Sequence, residues 1–223
     1  ITGVFRVNGG TLRGGTWNVA PGTRAFTSSS GNILDGVTLN GDLRLGSTSS
    51  TVRIRNGTAI SGVIDLAANS VRVGFEGTQT LMTDVVQTGG TFGTLSIEGD
   101  ATLTVGAGTS ITGTRIDIGG AFAVGGTREF VNDGEIVANA ADNTGIRLNS
   151  LNSAINNGTM RATNGGRLLV NSTDGTFANA GTMIAEGGSD ISILANNWTN
   201  TGTIAATGST IRFIGTYSTG DTG

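Results

Sequence analysis

The chain has 223 residues, 16 of them acidic and 13 basic, all of the basic ones arginine, for a formal net charge of −3. There is no Lys, His or Cys, which excludes a Ser-His-Asp triad, a Cys-His pair, a Schiff-base lysine and any disulfide. The acidic balance lacks the basic face that nucleic-acid binding needs. Gly accounts for 39 residues and Pro for one, a mix that suits short strands joined by tight turns.

From Val4, VFRVNGGTLRGGTWNV alternates apolar and polar residues between glycine pairs. That is strand periodicity with one face inward. LDGVTLNGDLRL (34–45) and IRNGTAISGVIDL (54–66) then repeat one another. Leu39 and Ile60, Leu43 and Ile64, and Leu45 and Leu66 are separated by one and the same interval. The stretch 94–119, TLSIEGDATLTVGAGTSITGTRIDIG, continues the theme. Between them, 74–94 keeps the weakest register, and a loop or irregular coil is expected to interrupt the stack there.

The second half uses another dialect. FVNDGEIVA from Phe130, AINNGTMRA from Ala154, FANAGTMIA from Phe177 and WTNTGTIAA from Trp198 repeat one sentence. Each carries an Asn two places before a Gly, and these glycines, Gly134, Gly158, Gly181 and Gly202, follow one another at nearly even steps. A second alternating run follows each block: Ile146-Arg-Leu148, Leu168-Leu-Val170, Ile191-Ser-Ile193 and Ile211-Arg-Phe213. No segment has helical apolar spacing. A period of roughly 20–25 residues marks a solenoid, whose coils bury their apolar faces only by stacking.

The expected fold is therefore all-β: a single right-handed parallel β-helix over 1–223, with about ten coils of roughly 20–24 residues and a length of roughly 45–50 Å. Residues 1–125 form the first dialect and 126–223 the N-x-G-T-[IM]-x-A repeats. Equivalent positions should stack. Asn132, Asn156, Asn179 and Asn200 should form an internal structural ladder in one turn. Ala138, Ala162, Ala185 and Ala206 should point inward. Phe130, Phe177 and Trp198 share one column, which Ala154 breaks.

These blocks, and the L-x-G-x-x-L-x-G-x-L-x-L blocks of the first half, resemble the parallel β-helix of secreted bacterial surface proteins: autotransporter passengers and filamentous-haemagglutinin-type adhesins. The resemblance implies an extracellular or cell-surface location and a non-catalytic structural or adhesive shaft. It implies neighbouring coils of a parent chain, or host and matrix glycans or proteins, as partners. No run of 18 apolar residues suggests a membrane-spanning helix. Both ends begin and stop in coil language, without a cap, so the chain is expected to be a piece of a longer protein or a subunit that polymerises end to end.

Polysaccharide lyases and hydrolases also use the parallel β-helix, so an enzyme is the second alternative. Hydrolases need paired carboxylates. Asp35, Asp42, Asp65, Asp100 and Asp117 lie in turns or near strand ends. Asp65 and Asp117, in IDL and IDI, are expected to point outward from equivalent strands, where solvated surface charge is the simpler reading. No calcium loop appears, so no metal and no cofactor are expected. Arg44, Arg53, Arg55 and Arg72 would form a modest basic patch on adjacent coils, a weak candidate contact for an anionic glycan.

Overall fold

The computed structural model describes residues 5–20, 23–27, 30–142 and 144–215. Most of its strands are short, and no helix occurs among the described residues. Every strand pairing is parallel, and the chain winds as a β-solenoid of about nine turns. Ten rungs leave nine steps of about 4.8 Å, a stack roughly 43 Å long. The expected lack of caps concerns 1–4 and 216–223 in part, which lie outside the described residues.

Each turn visits three faces. The first face is a ten-stranded sheet running without a break from Phe5–Val7 to Thr203–Thr207. The second face starts at Gly10–Arg13 and reaches Thr210–Ile214. The third face comes in two parts. Thr16–Asn18, Thr38–Asn40 and Ala59–Ile60 form a small separate sheet. Gln79–Leu81 then begins a new column through Ala101–Val105, Arg128–Asn132 and Ser153–Asn156. The long strands Arg167–Asn179 and Asp190–Asn200 turn the corner between the second and third faces and join them into one sheet.

The equally spaced pairs of the first half are register partners: Leu39 with Ile60, Leu43 with Ile64, and Leu45 with Leu66. Coil length varies more than expected. On the first face Ala25 lies opposite Leu43, a coil shorter than the repeat period, whereas Val85 lies opposite Ile111, a coil longer than it. Corners absorb the difference, because a turn can lengthen without disturbing the strands it joins. The longest excursion among the described residues, 120–127, separates Ile116–Gly119 from Arg128–Asn132. The stack is not interrupted at 74–94. Ile64 pairs with Val85, and Phe75 pairs with both Ile54 and Ile97. Only the third face is broken there.

The core is a set of columns. On the third face one column runs Gln79, Leu103, Phe130, Ala154, Phe177, Trp198. Ala154 stands between two buried phenylalanines, a small residue making room for large neighbours. Ala138, Ala162 and Ala185 are buried, as expected. Ala206 is exposed instead, since it sits on the last described rung of its face and no described coil covers it.

The Asn ladder is internal. Asn132, Asn156, Asn179 and Asn200 are all buried. The Nδ2 of Asn132 donates to Oδ1 of Asn156 at 2.8 Å, Asn156 to Asn179 at 2.7 Å, and Asn179 to Asn200 at 2.6 Å. Their main chains lock the same turn: the carbonyl of Asn156 accepts both Ala180 N–H and Gly181 N–H at 2.8 Å. The two preceding members of this column are Leu81 and Val105. The ladder thus begins where the sequence changes dialect.

Candidate functional site

The four arginines read as a possible basic patch lie on adjacent coils but on two faces. Arg44 belongs to the first face and donates to Asp65 at 2.7 Å. Arg53, Arg55 and Arg72 belong to the second. Arg55 reaches Asp35 at 3.1 Å and Glu76 at 3.5 Å, and Arg53 reaches Glu76 at 3.4 Å. The hydrogen bond from Asn56 holds the Asp35 carboxyl below its ordinary range; burial opposes this, and Arg55 and Arg13 reinforce it. The Arg55 guanidinium is correspondingly held charged, first by its hydrogen bond to Asp35. Arg72 lies over the Phe122 ring, 4.5 Å from its centroid. Three of the four cations are therefore paired with carboxylates, and the fourth is stacked on an aromatic ring.

Asp65 and Asp117 do not stand on equivalent strands. Asp65 is on the first face, in Ile64–Leu66, and Asp117 is on the second, in Ile116–Gly119. Nor is Asp65 solvated. It is fully buried, accepting from Arg24 and Arg44 of the two preceding coils at 2.7 Å each and from the Thr88 hydroxyl. Outward strand positions can be covered by long arginine stems, which is how an outward Asp becomes buried. Asp117 accepts from Nε and Nη2 of Arg147 on the next coil. Each carboxylate is bound to arginine, and the two lie on different faces, so they do not flank a common substrate bond. No group of three or more metal-ligating side chains gathers among the described residues.

Two further features were not assigned to particular residues by the sequence. Glu98 is almost completely buried at the end of Gly93–Glu98 and accepts main-chain N–H groups from Phe122, Ala123 and Val124 at 3.1, 2.9 and 2.8 Å. It pins the excursion at 120–127, which exposes Phe122 and Val124. Burial pushes the Glu98 carboxyl up, but those N–H bonds and the Ser96 hydroxyl outweigh it and hold it below the ordinary glutamate value. A depressed folded pKa stabilises the fold fully above the unfolded value of about 4.3 and is lost as pH falls through the lower folded value. Acidification through that lowered value should therefore release the excursion. Glu98→Gln should do the same at neutral pH, accelerating hydrogen exchange at Ala123 and Val124 by on the order of tenfold, as expected for lost charge-assisted bonds. Unchanged exchange at both amides would contradict the anchoring role.

The second feature is a seam. Where the third face breaks, a cleft of about 390 Å³ opens between Ala59–Ile60 and Gln79–Leu81. Ile54, Ile64, Phe75 and Leu81, buried core members, form its floor, and Thr58, Ala59, Thr80 and the exposed Met82 its rim. Its only sequence trace is the loss of register at 74–94, which does not distinguish a loop from an opened seam.

Comparison with protein-family models, curated proteins and solved structures gives no significant match.

Proposed function

We propose that this chain is a stiff, non-catalytic shaft segment of a bacterial cell-surface or secreted protein, of the kind built from autotransporter-like or haemagglutinin-like repeats. The observation that carries this reading is the first-face ladder, hydrogen-bonded without a gap through ten rungs. A solenoid of this kind is quasi-one-dimensional: each coil touches only its neighbours, and rigidity along the axis is what the architecture supplies. The neutralised carboxylates support the same reading. Arg24 and Arg44 on Asp65, Arg55 on Asp35, Arg147 on Asp117 and Arg212 on Asp190 each tie one coil to another. Location at the cell surface rests on the repeat resemblance.

The absence of native Cys makes a stiffness test clean. Spin labels on Thr11→Cys and Thr210→Cys, exposed positions on the first and last rungs of the second face, should give one narrow distance distribution centred at roughly 40–45 Å. A broad distribution would sink the shaft reading. Incubation with uronic-acid and neutral polysaccharides should release no new reducing ends or unsaturated products. Turnover that Asp65→Asn or Asp117→Asn abolishes would establish the enzyme instead.

A further inference from the structure

The seam has unpaired sheet edges on both walls. On one wall, Ala59 N–H donates to Val37 O and Ser61 N–H to Leu39 O. Successive residues of a parallel strand present their main-chain groups to opposite sides. The N–H and C=O of Ile60 therefore point the other way, into the cleft. On the opposite wall, Leu81 O accepts Gly106 N–H, and Gln79–Leu81 pairs with 103–105. By the same alternation Thr80 presents its N–H and C=O to the cleft. No strand pairing joins the two walls, which belong to different sheets. Two side chains strap the cleft at its ends. Gln79 Nε2 donates to Ile54 O and Glu76 O at 2.8 Å each, and the Thr83 hydroxyl donates to Gly62 O. Between the straps lies room for about three extended residues, on the order of 10 Å.

We propose that the seam is a strand-acceptor site that takes a short, uncharged, extended polypeptide segment from a partner, paired to Ile60 on one wall and Thr80 on the other. Three observations select this occupant. Facing sheet edges are complementary to a peptide backbone, which alone supplies amide donors and acceptors at the matching period. The floor made by Ile54, Ile64, Phe75 and Leu81 is apolar, and no charged residue lines the cleft. Phe75 is 3% exposed, so it offers no ring face to a sugar. An acyl chain would cover the floor but leave the polar groups of Ile60 and Thr80 without partners, at a cost. The strapped ends also keep the edges from pairing with long strands, which limits aggregation through them. The site is independent of the shaft reading, since its assay reads local binding rather than stiffness.

The probe is the capped tripeptide Thr-Leu-Asn, a copy of 38–40, the strand already paired with Ala59–Ile60. Titrated into the intact, isotope-labelled chain, it should shift the amide signals of Ile60 and Thr80 with a dissociation constant on the order of 0.1–1 mM. N-methylation of alternate peptide amides should weaken binding tenfold or more in either register, because successive amides face opposite walls. Thr80→Pro, which removes the N–H facing the cleft, should do likewise, while the amide signals of Thr104 and Val105 stay in place to report an intact fold. No shift at Ile60 or Thr80 up to about 2 mM peptide would overturn the proposal. So would shifts produced equally by N-methylated peptide, or produced by cellohexaose or decanoate with the peptide silent.

Discussion

Asn156→Ala should be among the most destabilising single substitutions in the second half of the chain, at about 2–4 kcal/mol. Asn156 receives the Asn132 amide, donates to Asn179 and also reaches Thr182 O at 3.3 Å. Truncation removes these bonds and leaves the buried Oδ1 of Asn179 without its donor. An orphaned buried polar atom typically costs about 1–3 kcal/mol, more than the bond contributes when present. The ladder has a direction, and that yields a second, smaller expectation. Each Nδ2 donates toward the C-terminus, so the first member lacks a donor for its own oxygen. Asn132 Oδ1 is indeed buried without a partner, because the preceding column member is Val105. Asn132→Ala removes one existing orphan while creating another at Asn156. It should cost about 1–2 kcal/mol, less than Asn156→Ala. Native-state hydrogen exchange of the flanking strands is the suitable readout, since solenoid coils open locally. Equal costs for the two substitutions would contradict a directional ladder.

Gly181→Ala should be as damaging for a steric reason. A Cβ on Gly181 would stand 2.1 Å from the Gly158 carbonyl oxygen, a main-chain atom fixed by its own bond from Thr182 N–H. Gly158 meets Gly134 O at the same 2.1 Å, and Gly202 meets Gly181 O at 2.0 Å. The Gly of each block thus exists because successive turns pack backbone on backbone. Relief requires the coils to part at that corner, disturbing the neighbouring Asn bonds, at about 3 kcal/mol or more. Gly188→Ala separates this effect from backbone strain. Gly188 has φ of +75° with nothing within 4 Å of its added Cβ, so only the left-handed strain applies, about 1–2 kcal/mol. A urea midpoint lowered equally by both would show that the close approach at Gly181 is relieved at no cost.

Repetition decided what was legible in the sequence. Asn and Gly recur in four blocks and an aromatic residue in three of them, and stacking places equal positions in contact, so spacing alone assigns the ladder and the core column. The equally spaced Leu and Ile pairs of the first half were legible for the same reason. Single-copy residues were not. Asp65 reads as a solvated strand position, and only the arginines of two preceding coils bury it. Glu98 lies in an ordinary strand, and its role depends on an excursion whose backbone happens to present three N–H groups. Arg44 stands near Arg53 in sequence, but a corner of the coil sends the two to different faces. The seam left only a loss of pattern, because opening one face while two stay paired changes no motif.

The most direct measurement is of cross-strand scalar couplings through hydrogen bonds in the deuterated chain. The in-register stack requires Thr159 N to couple to the carbonyl carbon of Gly134, Thr182 N to that of Gly158, and Thr203 N to that of Gly181, across bonds of 2.9, 2.8 and 2.9 Å. All three correlations are expected. Couplings displaced by one or more residues, or connecting these residues within their own coil, would contradict the stacked-coil architecture.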